Sequence, residues 1–122
     1  GKPVSSAGAS NSVTEYSIEK LAQAREMGPV FVNFTAAWCI TCKVNDINAL
    51  GTDLVLAAFA EKEVTYLKAD WTNENPVITL ALQEYGRSGV PLYLLYRQGD
   101  GPATVLPQIL TESIVLEAVR GL

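Results

Sequence analysis

Two cysteines, Cys39 and Cys42, are the only thiols in the 122-residue chain, and they stand three positions apart. On a helix that spacing puts both sulfurs on one side, close enough to form a disulfide. The natural reaction of such a pair is thiol–disulfide exchange. Cys39 attacks a partner disulfide, a mixed disulfide forms, and Cys42 resolves it. Two other uses stay open on the residues alone. A structural staple across so short a loop removes little chain entropy. Two thiolates are half of a tetrahedral zinc site with neither a second pair nor a His to complete it, whereas linear Cu(I) binding needs only the two sulfurs. The chain has no His at all, which removes Ser-His and Cys-His catalysis and every His-based metal site.

The elements that must position this pair follow from patterning. Val30 to Thr35 is short, apolar and partly β-branched, as expected of a buried central strand. It leads through Ala36 to Trp38 into the cysteines, and a helical pattern runs from Ile40 to about Leu50 with a break near Gly51. Cys39 is therefore expected at a helix N-terminus, where unpaired N–H groups and the dipole favour a thiolate. Around this unit, Val13 to Tyr16 reads as a short edge strand, and Ser17 as the cap of a helix stopped by Gly28-Pro29. Thr52 caps a helix over 53–62, and Val64 to Asp70 reads as a second buried strand. Asn75-Pro76 starts a helix through Tyr85 that Gly86 ends. Leu92 to Tyr96 is a third strong strand, Ala103 to Pro107 a weaker one, and Thr111 caps a final helix to Arg120. The order β-α-β-α-β-α-β-β-α predicts an α/β fold, with a mostly parallel sheet covered by helices on both faces and an antiparallel hairpin at one edge.

Composition bounds the rest. At 13.1 kDa and 48% hydrophobic residues the chain supports one core, and no apolar run approaches the ~20 residues of a membrane span. The net charge of -4 argues against a nucleic-acid partner. Residues 1–12 hold four Ser, two Gly and a Pro and read as a flexible linker, leaving 13–122 as the domain. The only Met is Met27, so an excised domain of a longer protein is expected.

The arrangement resembles the thioredoxin family, whose members set a cis-Pro opposite the C-x-x-C pair; here that Pro is Pro91, after Val90. More narrowly, Ala37-Trp38-Cys39-Ile40-Thr41-Cys42-Lys43, Lys68-Ala69-Asp70-Trp71-Thr72-Asn73 and Gly89-Val90-Pro91 are similar to the C-terminal periplasmic domain of DsbD-type thiol:disulfide interchange proteins. The likeness covers about residues 14 to 122, and the Ala-Asp-Trp-Thr segment is its more particular part. It implies a thioredoxin-like fold with a central mixed sheet, a cis Val90-Pro91 bond packed against Cys39, and Val90 backbone pairing to a substrate strand. Trp38 is read as shaping the substrate-binding rim beside Cys39, with core packing as the alternative. The likeness also implies a reductase module that receives electrons from a membrane domain and passes them to protein disulfides on the periplasmic side of the bacterial inner membrane. No cofactor and no metal is implied, and the domain is expected to be soluble and monomeric. The rival readings are a stand-alone periplasmic thioredoxin, for example in cytochrome c maturation, and a copper-binding or copper-tolerance module.

Departures bear on mechanism. Thioredoxins, and some DsbD domains, carry an acid six positions before the first Cys, where this chain has Asn33; Asn cannot take a proton. Asp46 lies four residues after Cys42 on the same helix face. Its carboxylate is either a solvated surface group or one that raises the thiol pKa values and shuttles the resolving proton.

Overall fold

Two strands are buried along their whole length, Val30–Thr35 (β2) and Leu92–Tyr96 (β4), and they pair at the centre of the sheet. The computed structural model describes residues 12–122, so the expected linker lies, apart from Ser12, outside the described residues. The remaining elements are β1 (Val13–Glu15), α1 (Ile18–Met27), α2 (Ile40–Asn45), a π-helical turn (Asp46–Leu50), α3 (Asp53–Glu61), β3 (Thr65–Asp70), α4 (Pro76–Glu84), β5 (Thr104–Val105) and α5 (Glu112–Arg120). Ser17, Thr52, Asn75 and Thr111 each cap their helix, accepting from first-turn amides.

The sheet order is β1-β3-β2-β4-β5. The β1/β3 and β2/β3 ladders are parallel, whereas β2/β4 and β4/β5 are antiparallel. The fold is thus α/β with a mixed sheet, and the expected mostly parallel sheet is corrected to an even division. Leu92 pairs with Phe34, at the end where β2 leaves the sheet. The loop after α4 returns the chain to that end instead of crossing to the other, so β4 runs against β2.

Alternation along the strands distributes side chains to two cores. Phe31, Tyr93 and Leu95 pack with Phe59 of α3 and Val115 and Val119 of α5. Val32, Phe34, Leu92 and Leu94 face the other way, onto Ile78 and Leu82 of α4, with Leu21 and Ala24 of α1 beside them. The period of two places Asn33 on the Phe31 side of β2, the side covered by α3, α5 and the π turn.

Three local expectations are revised. The helix from Ile40 does not run regularly to Leu50: the Gly51 amide donates to the Asp46 carbonyl at 2.7 Å, closing a π turn. A Cβ on Gly51 would lie 2.8 Å from that same oxygen, so the closure needs glycine. In β3, Leu67 and Ala69 are buried but Lys68 and Asp70 are exposed, because helix cover is missing on their side and a cleft opens there. The weak last strand shrinks to Thr104–Val105 between Pro102 and Pro107, neither of which has an amide to donate to a ladder. Among the described residues no helix is long and apolar enough to cross a membrane.

Candidate active site

Cys39 is the N-cap of α2: its backbone is extended and its sulfur accepts the Cys42 amide at 3.1 Å. The preceding turn is closed by the Cys39 amide donating to the Ala36 carbonyl, also at 3.1 Å. Cys39 and Cys42 form a disulfide with Cα atoms 5.2 Å apart. The pair is unequal in access, with Cys39 7% and Cys42 1% exposed. Ala36 clusters with the two cysteines, and Val90 packs against that cluster. The Val90-Pro91 peptide is cis, and Arg87 donates to the Pro91 carbonyl at 2.9 Å.

The loop carrying Trp38 is held by the segment after β3. Thr72 Oγ1 accepts the Ala37 amide at 2.8 Å, and the Thr72 carbonyl accepts Trp38 Nε1 at 3.0 Å. The Thr72 hydroxyl and amide both donate to Asp70 Oδ1, which holds the Asp70 carboxyl below the usual carboxylate range. The Trp71 amide donates to the Thr35 carbonyl at 2.7 Å, its indole donates to Thr79 Oγ1, and its ring lies 5.9 Å from that of Trp38. Trp38 is 53% exposed and Trp71 is buried, so Trp71 sits both in the core and against the site rim. The Ala-Asp-Trp-Thr segment therefore acts as a clasp on the cysteine loop.

Asp46 stands at two clefts, one of which reaches this rim. It lines a cleft of about 260 Å³ with Asn33, Tyr66 and Lys68, and shares with Lys68 a second, smaller cleft reaching Ala37 and Thr72. Although Asp46 exposes much of its surface, partial burial in the cleft pushes its carboxyl above the ordinary carboxylate range, against the opposing pull of Lys68 and a hydrogen bond from Asn33. Asn33 is buried, donates to Tyr66 Oη at 2.9 Å, and leaves its own Oδ1 unpartnered. Burial drives the Tyr66 hydroxyl well above its ordinary pKa, so it stays protonated.

Two supporting residues had no contact assigned to them from the sequence. Asn45 is 1% exposed; its amide donates to Tyr93 Oη and to the Gln108 carbonyl, both at 2.8 Å, and its Oδ1 accepts the Leu110 amide at 3.0 Å. It thereby ties α2 to β4 and to the loop before α5. Thr72 belonged to a recognisable segment but had no assigned contact. Among the described residues no group of three or more His, Cys, Asp or Glu is placed to hold a metal ion; the two sulfurs remain a two-ligand set.

Comparison with known proteins agrees with this geometry. The model of a thioredoxin-like family matches residues 13–98. The chain is 35% identical over 80 residues to thiol:disulfide interchange protein DsbD 1 of Pseudomonas aeruginosa, an alignment covering 65% of this chain and 13% of that much longer protein. The C-terminal domain of Neisseria meningitidis DsbD superposes in its reduced form with a TM-score of 0.68 at 22% identity, over 90% of this chain and 98% of that one. Its oxidised form gives 0.70 at 23%, over 88% and 97%. A chloroplastic thioredoxin z gives 0.67 at 24%, over 89% and 92%. At these identities the superpositions speak for the fold. With a C-x-x-C disulfide at the head of a helix, a mixed five-stranded sheet and a family match across most of its length, the chain belongs to the thioredoxin-like family.

Proposed function

We propose that this domain is a thiol:disulfide reductase module of a DsbD-like electron relay. The observation that carries it is the unequal exposure of a disulfide whose outer sulfur caps a helix. Cys39 is the nucleophile: as a thiolate it gains from the Cys42 amide and the helix terminus. It attacks a partner disulfide, and one partner sulfur leaves. Cys42, enclosed one turn on, then attacks Cys39 Sγ, releases the second partner sulfur and restores the disulfide. Two electrons pass from the dithiol to the partner. Trp38, Val90 and Pro91 form the surface that receives the partner, with the Val90 backbone pairing to its strand. Asp46 modulates the thiol pKa values and shuttles the resolving proton; its raised pKa suits it to holding one.

The direction of transfer rests on the DsbD likeness and on Ile40-Thr41 between the cysteines, which supplies no cation to stabilise the thiolate further. In this reading the membrane domain of a longer protein supplies the electrons, and protein disulfides on the periplasmic side of the bacterial inner membrane take them. Equilibration of the domain with glutathione tests the direction. A potential nearer the about −270 mV of thioredoxin than the about −120 mV of DsbA is expected. A value close to that of DsbA contradicts the reductase assignment.

A further inference from the structure

Ile40, Val44 and Ile47 recur at i, i+4 and i+7 along α2 and the π turn, and they are 77%, 47% and 75% exposed. That spacing lines up one helix face. A solvated face ordinarily carries several charged side chains, whereas this one presents three β-branched apolar residues with the exposed Lys43, three positions after Ile40, at its edge. The stripe starts at Ile40, between the two cysteines, and runs about 10 Å along the helix. It thus continues the surface any partner must touch to bring a sulfur to Cys39, and Trp38, next to Cys39 in the chain, is exposed as well. From Trp38 to Asn45 the one charged side chain is Lys43. The next charge, Asp46, lines the cleft with Asn33 and Lys68.

We propose that the Ile40–Val44–Ile47 stripe is a docking surface for protein disulfides that carry apolar side chains two to four positions along an extended segment from the reacting cysteine. The proposal rests on the exchange reading above and names the class of partner that the same site selects. A small disulfide such as that of glutathione is too short to cover the stripe and carries carboxylates that Lys43 alone would have to meet. The net charge of -4 disfavours an anionic lipid surface as the occupant.

The probes are two eight-residue peptides with one cysteine, each linked by a mixed disulfide to thionitrobenzoate, one with Leu and one with Ser at the second and fourth positions after the cysteine, which share one face of an extended chain. Cys39 attacks the peptide sulfur and coloured thionitrobenzoate leaves. Cys42 then attacks Cys39, the peptide leaves as a thiol, and the domain ends as the disulfide. The ratio of the two peptide rates is the readout, because any general change in thiol reactivity cancels within it. Reduced wild-type domain should react about tenfold faster with the Leu peptide, the effect of one buried apolar anchor. Val44→Ser and Ile47→Ser should each bring the ratio towards one. A wild-type ratio of one, or a ratio unchanged in both variants, overturns the proposal. So does a concentration-dependent dimer of the reduced domain that Ile47→Lys dissociates, which assigns the stripe to a second copy of the chain. Failure of wild type to release thionitrobenzoate from the symmetrical bis(thionitrobenzoate) disulfide contradicts the exchange reading itself, and the docking proposal with it. Release from that compound with a peptide ratio of one contradicts the docking proposal alone.

Discussion

The Trp38 indole donates to the Thr72 carbonyl at 3.0 Å, across 34 positions of sequence, and so fixes the residue before the reactive cysteine to the loop beyond β3. The Thr72 side chain adds a second tie through the Ala37 amide. The cysteine loop is held from outside, by Thr72, as well as from below, by the sheet. Neither bond involves a sulfur, so the loop keeps this anchor when the disulfide opens.

Thr72→Val keeps the shape of the side chain and removes its hydroxyl. It should lower stability by about 0.5–1.5 kcal/mol, the ordinary net worth of such bonds, and raise the acid-limb pKa of Asp70. The folded pKa of Asp70 is depressed, so its contribution is present above the unfolded value of 3.8 and is lost as pH falls through the lower folded value. Denaturation measured between neutral pH and pH 3 should therefore show a flatter acid loss in the variant than in wild type. Identical slopes contradict the role given to the Thr72–Asp70 bonds.

Asn45→Ala removes three bonds from a side chain that is almost fully enclosed. Leaving the Leu110 amide and the Tyr93 hydroxyl without partners should cost about 2–4 kcal/mol, read as a lower denaturant midpoint. A loss below about 1 kcal/mol contradicts the view that Asn45 pins α2 to β4 and the loop before α5.

Much of this arrangement was legible in the sequence, and the physics says which parts. Strand β4 is an unbroken apolar run and β2 is one interrupted only by Asn33 before its terminal Thr35, and the caps Ser17, Thr52, Asn75 and Thr111 announce their helices locally. Cys39 and Cys42 stand out by their spacing alone, whereas Pro91 is singled out by the thioredoxin resemblance and not by its place at a strand entrance. What escaped depends on contacts between distant segments. The π turn is set by how closely Gly51 approaches the Asp46 carbonyl. The reversal of β4 follows from the path of the loop after α4. The exposure of Lys68 and Asp70 depends on where helices fail to cover β3. Asn45 and Thr72 have partners 34 to 65 positions away, so these contacts exist only once the chain has folded.

Asp46→Asn should act with a sign opposite to that of Asp70. The folded pKa of Asp46 is raised, chiefly by burial in the cleft, so the protonated form is favoured and its contribution is lost as pH rises above 3.8 through the folded value. At neutral pH the variant should be slightly more stable than wild type, by well under about 1 kcal/mol for so exposed a group, and the gain should vanish below about pH 4. The same variant should shift the pH profile of thiol alkylation downward, since a nearby carboxylate holds thiol pKa values up. An unchanged alkylation profile contradicts the role of Asp46 at the cysteines while leaving the stability result standing.

Reaction of the reduced domain with the bis(thionitrobenzoate) disulfide, followed by absorbance, tests the central claim that Cys39 attacks and Cys42 resolves. Wild type should release two thionitrobenzoate anions per domain. Cys42→Ser should release one and retain the other as a mixed disulfide on Cys39. Cys39→Ser, left with a sulfur that is 1% exposed, should react about a hundredfold or more slowly. A Cys39→Ser variant that reacts as fast as wild type contradicts the account.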